Sequence, residues 1–271
     1  MLTSDATFRV VAEVNPPELP NMDHLLLANV WSDVLVTDNV FGRVRVSPYA
    51  FAARITHDVP SVHPTVVVST RDRNILAIES EVRGALGNGV DSFLVVIGDT
   101  VPAVEHLAHH YEIVEHLRDL QGRMPPFEVG MATRFQRWQY QRRLDVGAQF
   151  FVAGPVIDPA TVGPSLERLG REPGDPPFYL MVIPPFSPTW VEKMEGFGSV
   201  PVTDAFRRKL EGVPADGRRV WAWERGIEAA TVAKREGCDG VILMGLAYET
   251  VVSEAALRWR PALAGLQAIR R

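Results

Sequence analysis

Short apolar runs rich in β-branched residues recur along this chain, and most are followed by a stretch whose apolar positions repeat every three or four residues. The clearest case lies between Pro64 and Asp99. Thr65-Val66-Val67-Val68 is too short for a helix and too apolar for an exposed strand, so it reads as a buried strand. Ile75, Ile78, Val82 and Leu86 then form one apolar stripe of a helix that Asp72 or Ser69 caps and Gly87-Asn88-Gly89 ends. Phe93-Leu94-Val95-Val96-Ile97 is the next buried strand, closing on Gly98-Asp99. A strand, a helix and a strand in such close succession imply a parallel pair with the helix packed across it.

The same alternation extends to both sides. Further strands are predicted at residues 8–13, 34–36, 127–131, 149–152, 178–183 and 240–244. Helices are predicted at 22–30 (capped by Asn21), 49–55, 102–120, 135–145, 159–169, 189–194, 202–210, 220–236 and 249–258, while residues 41–46 fit no template. Eight strand-and-helix units of ~30 residues, with no glycine-rich nucleotide fingerprint at the first turn, predict an α/β fold of the (β/α)8 TIM-barrel type. No repeat, linker or low-complexity stretch divides the chain, so one catalytic domain is expected over residues 1–271.

Composition narrows the function classes. A formal net charge of -5 argues against a nucleic-acid surface or a polybasic membrane patch, and no apolar run approaches the roughly 20 residues of a membrane span. Cys238 is the only cysteine, which leaves no internal disulfide framework and no thiolate metal site. The N-terminal MLTSDATFRVV lacks the basic start and apolar core of a signal peptide, so a cytoplasmic location is expected. Oligomeric state is left open.

In a barrel, functional groups lie just past the C-terminal ends of the strands. That rule selects Glu13, Thr37 and Asp38, Arg71 to Asn74, Asp99, Thr133 and Arg134, Phe186, and Tyr248 with Glu249. Glu13 and Asp99 are set to face one another across the mouth. Burial there would raise one pKa and supply a proton donor at neutral pH; alternatively, each carboxylate pairs with an arginine or caps a loop. His106, His109 and His110, with Glu105 and Glu112, read as the solvated face of an outer helix, since the His-Glu-x-x-His pattern of zinc proteases is missing. Gly84, Gly87 and Gly89 follow a helix and are caps, Ser187 has no nucleophile elbow, and Cys238 falls at the opposite end of the barrel. Trp138, Trp221, Trp223 and Trp259 are expected to be packing residues.

Several of these stretches carry a resemblance. Glu13-x-x-Pro16-Pro17 ends the first strand, Ser69-Thr70-Arg71-Asp72-Arg73-Asn74 follows the third, and Val96-Ile97-Gly98-Asp99 ends the fourth. With Arg142-Arg143-x-Asp145-x-Gly147-Ala148 before the sixth strand, the chain resembles the methylenetetrahydrofolate reductase family over most of the barrel. The resemblance implies Glu13 as the general acid that opens the five-membered ring joining N5 and N10, and Asp99 as the carboxylate that holds the pterin and offsets its developing positive charge. Thr37 falls where the family has a threonine near flavin and folate; with it, Asp38, Arg71, Gly98, Arg134, Gln139, Arg142, Gly154, Phe186 and Tyr248 are the candidate contacts to substrate or cofactor, and no metal is expected. NADH or NADPH would be the hydride donor, a folate the substrate, and FAD the family cofactor. Two departures leave FAD open: Met131-Ala132-Thr133-Arg134-Phe135 runs directly into a helix where the family has a longer aromatic-proline segment, and Gly154 stands where it has a folate-contacting glutamine. The same residues also suit a folate-dependent methyltransferase working with a corrinoid protein, or a barrel that only binds folate.

Overall fold

The computed structural model describes residues 2, 7–19, 24–29, 31–99, 109–196, 200–255, 257–259 and 262. Eight parallel strands close into a barrel in sequence order: β1 (Arg9–Val14), β2 (Asp33–Val36), β3 (His63–Ser69), β4 (Ser92–Val96), β5 (Glu128–Thr133), β6 (Phe151–Val156), β7 (Phe178–Val182) and β8 (Gly240–Leu243). β1 pairs with both β2 and β8, Ala12 lying opposite Val34 on one side and Leu243 on the other. The predicted (β/α)8 architecture is therefore present.

Each strand is buried on two faces, and its period of two divides its residues between them. Val10, Ala12 and Val14 of β1 point outward into the layer shared with the helices, while Val11 points into the lumen. The lumen is filled by Val11, Leu35, Val67, Leu94, Phe150, Val152, Tyr179 and Ile242. Phe150 reaches inward because Gly130 of β5 leaves the space for its ring; a Cβ at Gly130 would overlap it. At the N-terminal end, Leu2 plugs the lumen: its N–H donates to Glu128, and its carbonyl accepts from the Tyr179 hydroxyl at 2.7 Å. Ser92 Oγ donates to the same Glu128 at 2.7 Å, so this end is closed by a satisfied polar layer.

The helices cover the outside: α1 (Pro48–Asp58), α2 (Ile75–Leu86), α3 (His110–Leu120), α4 (Arg137–Asp145), α5 (Val162–Glu167), α6 (Pro188–Gly196), α7 (Asp204–Gly212) and α8 (Arg218–Arg235). In α2 the expected stripe is buried at Ile78, Val82 and Leu86. Its cap is Asn74, whose side chain accepts from Ala77 N at 2.9 Å, and neither Asp72 nor Ser69 plays that part. Asp72 instead turns the chain at φ +55°. The predicted helix at 22–30 is a 3-10 segment, His24–Asn29, with Asn21 outside the described residues. The start of the predicted 102–120 helix also falls outside them. Within the predicted 249–258 helix, a short helical turn, Tyr248–Thr250, widens into a π-helical turn, Val251–Ala255. Trp223 and Trp259 are packing residues as expected, whereas Trp138 is 67% exposed on α4. Among the described residues no helix is long and apolar enough to cross a membrane.

Candidate active site

The lumen filling stops short of the C-terminal end, and above it lies a cavity of about 610 Å3. Its floor is apolar: Leu35, Val67, Leu94, Val152, Met181 and Met244. Strand periodicity then places the polar groups. Two residues beyond Val11, Glu13 is the next lumen-facing position of β1, and Thr37 stands in the same relation to Leu35 of β2. Both line the cavity.

Glu13 is partly buried at the edge of this space. Burial pushes its pKa up to about 7, the negative charge of Asp99 adds to the rise, and the Gly245 N–H, donating to Glu13 Oε1 at 3.3 Å, opposes it. Among the described residues neither carboxylate forms an ion pair with an arginine. Asp99 Oδ2 accepts the Phe41 N–H at 2.6 Å, which ties the end of β4 to the turn after β2. That turn is unusual: Asn39 and Phe41 both have positive φ, and Phe41 is half exposed. Beside Asp99, Gly98 has φ +89°, and a Cβ there would run into Ser69 Oγ.

Thr37 Oγ1 donates to Asn15 Oδ1 at 2.7 Å. Asp38 also lines the cavity, but its carboxylate is taken up by the Arg73 guanidinium and by Asn39 Nδ2, the latter at 2.9 Å. Arg71 is buried behind this wall; its Nη2 donates to the carbonyls of Asp38 and Asn39 at 3.0 and 2.8 Å. It holds the turn and is not part of the cavity lining.

Arg134, Gln139 and Gly154, named as candidate contacts from the sequence, also line the cavity, together with Thr133. Three other residues expected to contact a ligand lie outside this lining. Arg142 is exposed and lies over the Tyr111 ring at 5.5 Å; its neighbour Arg143 lines the cavity instead. Phe186 packs edge-on against Trp223, centroids 5.1 Å apart, with Arg219 over its ring, away from the cavity. Tyr248 is packed against the outer core and does not line the cavity.

Two polar residues of the cavity escaped the sequence reading. Arg142 and Arg143 stand three and four residues beyond Gln139, both within one helical turn of it, and the docking of α4 turns Arg143 to the cavity. His110 was expected on a solvated helix face; it is the first residue of α3, which brings it to the mouth. Its imidazole is pushed down to about 4, by burial first and then by the charges of His109 and Arg143, so it is neutral at pH 7. His106 lies outside the described residues. Among the described residues no group of three or more His, Cys, Asp or Glu side chains is placed to hold a metal ion.

No protein-family model matches this chain, and no curated protein does. Solved structures do. Oxaloacetate acetylhydrolase in complex with 3,3-difluorooxalacetate matches with a TM-score of 0.58 at 10% identity, over 99% of this chain and 86% of that one. EDTA monooxygenase from Chelativorans sp. BNC1 also gives 0.58, at 12% identity, over 97% and 95%. 2,3-Dimethylmalate lyase, of the PEP mutase/isocitrate lyase superfamily, gives 0.56 at 13% identity, over 98% and 84%. At these identities the likeness is one of fold, and the barrel supports many chemistries.

Proposed function

We propose that this protein is an enzyme of the methylenetetrahydrofolate reductase type, reducing 5,10-methylenetetrahydrofolate to 5-methyltetrahydrofolate with NADH or NADPH as hydride donor. The observation that carries the reading is Glu13: a carboxyl group with a pKa of about 7, facing a cavity next to Asp99. A general acid is most effective when its pKa lies near the working pH. Glu13 protonates N10, the C–N10 bond breaks, and the methylene carbon becomes an N5-iminium cation. Asp99 offsets that charge in a cavity whose floor is apolar, where a fixed carboxylate acts more strongly than in water. Hydride from the dihydronicotinamide adds to the iminium carbon to give the N5-methyl group and the oxidised nicotinamide. Glu13 then recovers its proton from solvent.

FAD fits these residues poorly. Only residues 134–136 join β5 to α4, which leaves no length of backbone there to run along a flavin dinucleotide. No step is assigned to it.

The test is NADH and NADPH oxidation by verified flavin-free protein, with and without methylenetetrahydrofolate, the product being identified by mass spectrometry. Folate-dependent oxidation yielding methyltetrahydrofolate is expected. No oxidation by flavin-free protein would remove direct hydride transfer and favour methyl transfer with a corrinoid protein, or folate binding alone.

A further inference from the structure

The cavity carries both signs of charge. Glu13, Asp38 and Asp99 line it from the ends of β1, β2 and β4, and Arg143, a buried guanidinium with no acidic partner among the described residues, lines it from α4, which follows β5. Arg143 Nε donates to the Ala132 carbonyl at 2.8 Å and Nη1 to the Gln139 carbonyl at 3.1 Å, so the group is held in place by neutral acceptors only. His110, which also lines the cavity, has a buried Nε2 with no hydrogen-bond partner among the described residues. A buried cation without a counter-charge and a neighbouring unsatisfied imidazole nitrogen are both costly unless something occupies the space between them.

A second depression, of about 400 Å3, lies next to the cavity and shares Arg134 with it. Arg168, at the end of α5, contributes the other positive charge of this groove, and among the described residues its Nη2 donates to Ser165 Oγ at 3.0 Å. Glu195 also lines it, but that carboxylate is committed to both Nη atoms of Arg207. Arg143, Arg134 and Arg168 therefore mark out a cationic path from the inner wall to the outer groove. None of the three has a carboxylate within ion-pair distance among the described residues.

We propose that this path is an anion subsite, which takes the phosphate or carboxylate groups of a ligand whose reactive ring reaches toward Glu13. Arginine's planar fork is suited to both kinds of oxyanion. Under the reductase reading, on which the identity of the ring rests, two ligands carry such groups: the diphosphate of the nicotinamide dinucleotide, and the glutamyl carboxylates of the folate. The subsite itself does not depend on turnover.

Binding separates these sources. ADP-ribose, NADH, and tetrahydrofolate bearing one or several glutamyl groups are titrated calorimetrically into the intact protein, Arg168→Gln, Arg134→Gln and Arg143→Lys. Arg168 and Arg134 are exposed, so their variants are expected to fold even if substitution at Arg143 disturbs α4. A loss of about tenfold per arginine, the scale of one charge-assisted hydrogen bond, is expected for at least one ligand class. Weakened ADP-ribose and NADH with unchanged folate assigns the path to the dinucleotide; weakened multiply glutamylated folate with unchanged ADP-ribose assigns it to the folate tail. Unchanged affinity for every probe in folded Arg168→Gln and Arg134→Gln overturns the proposal. Arginine-dependent ADP-ribose binding in a protein that never reduces the folate would keep the subsite and remove the reductase.

Discussion

Replacing Glu13 by glutamine tests the central electrostatic claim without assuming a reaction. A carboxyl group whose pKa is higher in the folded chain than in the unfolded one stabilises the fold while protonated. Its contribution is complete below the unfolded value and is lost as pH rises through the folded value. Here those values are the ordinary 4.5 and about 7. At about 1.36 kcal/mol per pH unit, the full gap corresponds to roughly 3 kcal/mol, of which under ~1 has been lost by pH 5. Glu13→Gln does not titrate. Its stability relative to the parent protein should therefore rise by roughly 2 kcal/mol between pH 5 and pH 8, as the parent comes to carry a buried charge that the variant lacks. Denaturant unfolding of both proteins at several pH values, followed by circular dichroism, reads the difference directly, because groups that titrate alike in both cancel. A constant separation across that range would show that Glu13 is not held protonated by its surroundings. The same variant should lose about 10²- to 10⁴-fold in folate-dependent turnover. Greater stability with lost activity is the signature of a group retained for chemistry.

Other consequences are direct. The rate of folate reduction, kcat/KM, should be level at low pH and fall above about pH 7 as Glu13 loses its proton, and a rate that rose through that pH would reject Glu13 as the acid. Gly98→Ala places a Cβ at φ +89° against Ser69 Oγ and should cost roughly 1–3 kcal/mol in thermal or denaturant unfolding, with the Asp99 to Phe41 contact disturbed as well. Asn74→Ala removes the α2 cap and should cost ~1 kcal/mol by the same assay, whereas Asp72→Ala, at the residue that the sequence suggested, should not reproduce that loss through the cap.

The barrel was legible because its strands are buried on both faces and read as continuous apolar runs, which turn chemistry separates. Glu13, Thr37 and Asp99 were legible for the related reason that a polar side chain directly after such a run falls at the strand's C-terminal end. The failures share a different cause. Phe186 and Tyr248 also follow strands, but whether a side chain there turns inward or outward depends on the path of the connecting loop, which no period records. Arg142 and Arg143 are adjacent in a helix, about 100° apart around its axis, and only the docking of α4 decides which one faces the cavity. His110 was misplaced because the predicted helix start at Pro102 put it in mid-helix. An α3 that begins at His110 changes its address from the outer face to the mouth.

The fixed charges of the cavity bear on how a ligand would orient. Arg134 and Arg143, after β5, and Glu13 and Asp99, at the ends of β1 and β4, line the same space above an apolar floor that does little to screen them. An anionic tail is favoured near the arginines and a ring nitrogen that becomes cationic near the carboxylates. Asp99 is not free to move toward the arginines, since the Phe41 N–H holds its carboxylate in place. Arg143 is fixed by the Ala132 and Gln139 carbonyls, which belong to β5 and α4 themselves. Both poles are thus anchored to the scaffold before any ligand arrives, the condition under which fixed charges stabilise a developing charge without reorganising.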